Sequence, residues 1–139
     1  MIKCIIPLRG SDPMGYGHFH ASRGSRLHNG LDFAAMPESQ ILNFECGKVT
    51  KIGQVYRDTT EFKYVQVSLV DGARMRYFYI EPSSKLWIGK MVQKDEVLGL
   101  LQDVRTKHGK SMKPHLHLEI LNVDNRFVDP YHFMETRYE

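Results

Sequence analysis

The sequence predicts a mainly β, antiparallel protein, and three observations predict it. From Gly47 onward the chain is built of short β-branched and aromatic runs bounded by turn residues. Two of those runs flank an Asp-Gly pair, Asp71 and Gly72, which is the strongest short-range signal for a β-hairpin. Near the end, "PHLHLEILNV" alternates His115, His117 and Glu119 with Leu116, Leu118 and Ile120, so that a strand there aims both histidines at one face and the leucines at the other. With 139 residues the chain suits a single domain over 1–139, large enough for a real core.

In chain order, the first forty residues contain "RGSDPMGYG" and "SRGSRLHNG", whose glycine, serine and arginine content predicts loops. Loops on a rigid scaffold often carry function. "GKVTKIGQVY" and "KYVQVSLV" read as strands, the second alternating Val65, Val67 and Leu69 with Gln66 and Ser68. "RMRYFYI" completes the hairpin; its alternation predicts Tyr77 and Tyr79 on one face, at the floor of any groove. "KLWIGKMVQKDEVLGLL" supports two more short strands, or a short helix over 93–98, and one helical turn is expected after Pro130. No repeat and no low-complexity tract interrupts the chain.

Composition narrows the function classes. A net charge of +3 is compatible with anionic polymers such as nucleic acid or cell-wall material, but the lysines and arginines are scattered without a run of five. A nucleic-acid partner is therefore not expected. No stretch approaches the ~20 apolar residues that span a bilayer. The start, "MIKCIIPLRGSDP", has a short apolar run broken by Pro7, too short for a signal peptide. Cys4 and Cys46 lack CxxC spacing and are expected to be buried thiols, with a disulfide the alternative outside a cell.

The histidines carry the chemistry. Catalytic zinc takes three protein ligands and leaves a position open for water. "HNGLD" offers His28 and Asp32 within one turn, with Gly30 between them marking a tight loop, and His117 could complete the set from a stiff strand. His115 faces the same side and is placed to handle protons. Seven histidines also form close pairs by chance, as His18 and His20 do. Those two, with His108 and His132, are read as ordinary polar residues, and Trp87 as core.

"RGSRLHNGLDF", "GKVTKIG", "YFYI", "GKMVQKDEVLG", "PHLHLEI" and "FVDPYHF", in that order, resemble the lysostaphin or LytM family of zinc metalloendopeptidases over Arg23 to Phe133. The resemblance implies a compact antiparallel β-sheet groove, a duplicated hybrid motif with loops walling the site, and cleavage of peptidoglycan peptides. It also implies Zn2+ held by His28, Asp32 and His117, His115 as a catalytic histidine, and Glu119 as a carboxylate that orients a ligand. Two residues depart from the family pattern. Asp95 stands where a turn usually has glycine, and Tyr79 stands where active members carry a second catalytic histidine, in a Tyr-x-His-Leu pattern. A phenol can donate a hydrogen bond to an oxyanion but is not a cation at neutral pH. "FYIEP" together with "RGSRLHNGLD" is similar to the leukocyte-derived chemotaxin branch, which keeps the zinc ligands, shares the tyrosine and is regarded as a binding protein.

Two functional expectations follow. The first is a zinc endopeptidase acting on peptidoglycan peptide, with His115 as base and Tyr79 as hydrogen-bond donor. The second is a zinc-stabilised module that recognises cell-wall peptide without turnover. The expected route to the wall is synthesis in the cytoplasm and release on lysis, or carriage in a phage particle with phage structural proteins as partners.

Overall fold

A computed structural model describes the backbone at residues 11–12, 15–16, 22–23, 26–27, 30–105, 114–130 and 133, and the side chains at 30, 32–105, 114–130 and 133. His18, His20, His28, His108, His132 and Cys4 lie outside the described side chains.

Strands dominate. Four two-residue strands open the chain: β1 (Ser11–Asp12) pairs with β2 (Gly15–Tyr16), and β3 (Ser22–Arg23) with β4 (Arg26–Leu27). They are followed by β5 (Leu31–Ala34), β6 (Gln40–Leu42), β7 (Gly47–Tyr56), β8 (Thr59–Ser68), β9 (Arg74–Phe78) and β10 (Ile80–Pro82). The last four are β11 (Met91–Val92), β12 (Val97–Leu101), β13 (His115–Leu121) and β14 (Phe127–Val128). The first forty residues, expected as loops, thus contain short strands: β1 to β4 form two-residue ladders with their chain neighbours, and β5 pairs with a strand of the main sheet.

The main sheet runs β11-β7-β8-β9-β13-β14, with β5 also paired to β13, and a second sheet runs β10-β12-β6. Every pairing is antiparallel. Val65, Val67, Met75, Leu116, Leu118 and Ile120 line the inner face of the main sheet and join Ile41, Ile80, Leu98 and Leu101 of the smaller sheet in one buried cluster. The alternation read from β8 and β13 is realised there. The opposite face of the main sheet carries the polar residues of the same strands and forms the floor of the candidate site.

The β8–β9 hairpin closes through Val70, Asp71 and Gly72. Gly72 N–H donates to Leu69 O at 3.0 Å and Leu69 N–H to Ala73 O at 2.7 Å. Of the Asp-Gly pair only Gly72 takes a positive φ, 92°, while Asp71 uses its carboxylate to accept from Ala73 N–H at 3.1 Å. The loop is therefore one residue longer than a two-residue turn, with the glycine in the left-handed position that completes it.

Four expectations are corrected. Tyr77 is not on the groove floor: it is fully buried in the core, its hydroxyl donating to Asn43 Oδ1 at 3.0 Å and accepting from Phe44 N–H at 2.9 Å. The alternation breaks because Tyr79 has φ +71°. There the chain leaves the main sheet and enters the smaller one, β9 ending at Phe78 and β10 starting at Ile80. Such a corner needs a local irregularity. Residues 93–96 form a turn, not the start of a helix, since Asp95 has φ +67° and Val97 begins β12. The family's glycine at that turn has a plain meaning, for aspartate is among the few other residues that tolerate the left-handed region. Trp87 is 60% exposed on the turn before β11, with the Lys90 ammonium 5.4 Å from its ring, and Cys46 is exposed in the bend before β7. As expected after Pro130, a helical turn opens there, and Phe133 N–H donates to Asp129 O at 2.9 Å.

Candidate active site

Strand register assembles the site. On β13, His117 lies opposite Asp32 of β5 on one side and Phe78 of β9 on the other, and Phe78 lies opposite Tyr64 of β8. Four strands therefore contribute one row across the floor. Phe78 stacks against Tyr64 and packs edge-on to His117, both with ring centroids 5.2 Å apart. The next row holds Gln66, Arg76 and Glu119.

The histidine of this row is held from both sides. His117 Nδ1 is 2.8 Å from Asp32 Oδ1, and His117 Nε2 is 3.0 Å from Glu119 Oε2. Burial opposes protonation of the imidazole, but the Asp32 and Glu119 carboxylates outweigh it and raise its pKa to about 9. The pocket is thus built for positive charge at this point. Gly30 explains how the loop approaches so closely: a Cβ there would sit 2.8 Å from Cε1 and 2.9 Å from Nε2 of His117 and would strike the Leu118 carbonyl oxygen. The need is for space, not for an unusual turn, which corrects the reason the sequence suggested.

His115 faces the same side, as its alternation predicted. It is 3% exposed, with Nε2 3.7 Å from Oδ2 of Asp32, so that one carboxylate addresses both histidines. Tyr79, at the sheet corner, places its ring 5.3 Å from that of His115 at 81°. Its hydroxyl lies 2.9 Å from that of Tyr56, and Phe62 closes the cluster edge-on at 6.0 Å. Tyr79 N–H donates to Lys63 O and its carbonyl accepts from Gln102 N–H, so the corner is tied to both flanks.

A model of peptidase family M23 matches residues 26–130. The chain belongs to this family. M23 is a family of metallopeptidases, and the lysostaphin-type resemblance of the sequence is shown by that match. The fold is likewise shared with solved M23 structures. The antimicrobial peptidase lysostaphin from Staphylococcus simulans superposes with a TM-score of 0.68 at 20% identity, covering 92% of this chain and 51% of that one. A mutant catalytic domain of the prophage-encoded M23 protein EnpA from Enterococcus faecalis gives 0.65 at 19% identity, covering 93% and 97%. A zinc-containing peptidase from Vibrio cholerae gives 0.64 at 21%, covering 92% and 37%. The chain spans about half the length of lysostaphin. No curated protein matches it significantly.

Within this M23 fold, Asp32, His115, His117 and Tyr79 come together, whereas His28 lies outside the described residues. Among the described residues no group of three His, Cys, Asp or Glu side chains stands as a metal site. Asp32 Oδ1 and His117 Nδ1, 2.8 Å apart, are nonetheless two donor atoms of the kinds that zinc takes. Tyr56, Phe78, Gln66 and Arg76 were not singled out from the sequence. For Phe78 and Arg76 the signal was present, since Met75 and Tyr77 alternate with them and an arginine is a poor core residue. Tyr56 meets Tyr79 only through the sheet. Among the described residues no helix is long and apolar enough to cross a membrane.

Proposed function

We propose that this M23 protein is a zinc-dependent endopeptidase that hydrolyses peptide bonds of bacterial peptidoglycan, with His28, Asp32 and His117 as metal ligands. The observation that carries the reading is the pairing of His117 with two carboxylates. Asp32 lies on the Nδ1 side of the ring while Glu119 accepts from Nε2–H, so that on loss of the Nδ1 proton Asp32 Oδ1 and His117 Nδ1 would be left side by side to hold the metal. Zinc, when bound, supplies Lewis acidity toward the scissile carbonyl and makes a water molecule acidic enough to act near neutral pH.

The protein's own groups do the rest. His115, with Nε2 3.7 Å from Asp32, takes the proton of the attacking water and delivers it to the leaving amine. Tyr79 donates a hydrogen bond to the carbonyl oxygen as it gains charge. For that, its oxygen must accept from Tyr56 rather than donate to it, and the 2.9 Å hydroxyl pair permits this arrangement. The aromatic row of Tyr64 and Phe78 offers the peptide an apolar floor beside His117.

The same hydroxyl pair favours a second reading. If the Tyr79 hydroxyl instead donates to Tyr56, it has no proton for the oxyanion, the groove binds cell-wall peptide with little turnover, and zinc serves the fold. Incubating zinc-loaded protein with peptidoglycans of several cross-bridge types separates the two. Release of new amines by the wild type, abolished in His115→Ala, supports the peptidase. No release by the wild type, with activity gained in Tyr79→His, supports the binding module.

A further inference from the structure

We propose that Arg76 is a specificity-determining residue of this groove, a fixed anchor for a carboxylate on the bound peptide, one row of the sheet away from His117. The inference rests on the reading of the groove as a peptide site and adds the chemical class of its ligand. Arg76 lies on β9 in the row next to His117, opposite Gln66 and Glu119. Adjacent same-face rows are about 7 Å apart along a strand, which leaves Arg76 within a side chain's reach of a peptide held at His117.

Its head group is pinned but not saturated. Nε–H donates to Gln66 Oε1 at 2.9 Å; Gln66 in turn donates to Thr50 Oγ1 at 3.0 Å, and Thr50 meets Ser68 at 2.8 Å. This line across the sheet fixes the guanidinium plane. Glu119 stops short of pairing with it: Nη1 to Oε1 is 3.8 Å, because the other carboxylate oxygen is drawn to His117 at 3.0 Å. A guanidinium carries five N–H donors. Among the described residues only Nε–H has an acceptor within hydrogen-bond distance, although the side chain is only 23% exposed. A half-buried cation whose Nη donors have no acceptor within hydrogen-bond distance among the described residues suits a planar, doubly accepting anion, and a carboxylate is the one that peptides carry. Glu119 does not repel such a group strongly, since its other oxygen is engaged by His117 at 3.0 Å.

The test uses two synthetic peptidoglycan stem peptides, identical except that the acidic residue's free carboxylate in one is a carboxamide in the other. Binding is measured by fluorescence anisotropy and cleavage by amine release, for the wild type, Arg76→Gln and Arg76→Lys. The wild type is expected to bind the carboxylate peptide about 10- to 100-fold more tightly, the worth of one charge-assisted pair. Arg76→Gln should bring that peptide down to the carboxamide level and leave the carboxamide peptide unchanged; Arg76→Lys should keep part of the preference. Where cleavage occurs, KM should carry the change and kcat should not. Equal binding of both peptides by the wild type, or equal losses for both in the variants, overturns the proposal even if both are cleaved. Preferential binding without cleavage upholds it and sinks the peptidase reading instead. Should Arg76→Gln not fold, Arg76→Lys and the wild-type ratio decide.

Discussion

His117 and Asp32, 85 positions apart in the chain, face each other across two paired strands with Nδ1 and Oδ1 2.8 Å apart. That contact couples protonation to folding and, under the proposed function, to metal binding.

The His117 pKa is raised from 6.5 to about 9. In metal-free protein its protonation therefore stabilises the fold fully below pH 6.5 and is lost as pH rises through about 9. The expected loss is at most ~3 kcal/mol. Thermal melting after chelation should show a falling midpoint across this window, and Asp32→Asn should flatten the slope. Saturating zinc should raise the midpoint more at the alkaline end, where the imidazole needs no deprotonation. A midpoint that rises between pH 6.5 and 9 would contradict the assignment.

Gly30→Ala places a methyl group against the His117 ring and the Leu118 carbonyl. We expect destabilisation of about 1–3 kcal/mol from overpacking and a marked loss of bound zinc. Gly72→Ala is the control, straining only the hairpin's positive φ. If both variants retain zinc equally by atomic absorption, the close approach at Gly30 has no bearing on the metal.

Glu119→Gln keeps the size of the side chain but withdraws the charge at His117 Nε2. Zinc affinity in a chelator competition should fall about 10- to 100-fold, while the circular dichroism spectrum stays unchanged. An unaltered affinity would mean that Glu119 serves only the sheet.

Tyr77→Phe leaves Asn43 Oδ1 without the hydroxyl's proton and Phe44 N–H without an acceptor. Urea unfolding should report a loss of about 1–3 kcal/mol, and zinc content should not change. A groove-floor role for Tyr77 would instead predict altered peptide affinity with unchanged stability.

Tyr56→Phe removes the partner of the Tyr79 hydroxyl while keeping the rings that pack on Phe62. If Tyr56 steers Tyr79 toward the oxyanion, kcat should drop by about 5- to 10-fold, the worth of one neutral hydrogen bond, with KM steady. A rise in kcat would show that the pair holds Tyr79 away from the substrate.

Much of this was legible in the sequence, and the reason is local. Period-two alternation placed His115, His117 and Glu119 on one face of β13 and Leu116, Leu118 and Ile120 on the other, because a pleated strand leaves no other choice. Asp71 and Gly72 marked the hairpin for the same kind of reason. The family resemblance added the relation between "HNGLD" and "PHLHLE" that no local rule contains.

Only the tertiary structure decided the rest. Alternation extended through Tyr77 to Tyr79 put both in the groove, yet Tyr77 follows the regular alternation of β9 into the core beside Met75, and Tyr79's left-handed backbone at the junction of two sheets turns only Tyr79 toward His115. Gly30's role is likewise a clash avoided with a residue of another strand. Periodicity reports what one strand does with its own side chains, whereas register between strands determines which of them meet. Asp32 with His117 and Glu119 with Arg76 are products of register, Tyr56 meets Tyr79 through the sheet corner, and these are the pairs on which the proposed chemistry rests.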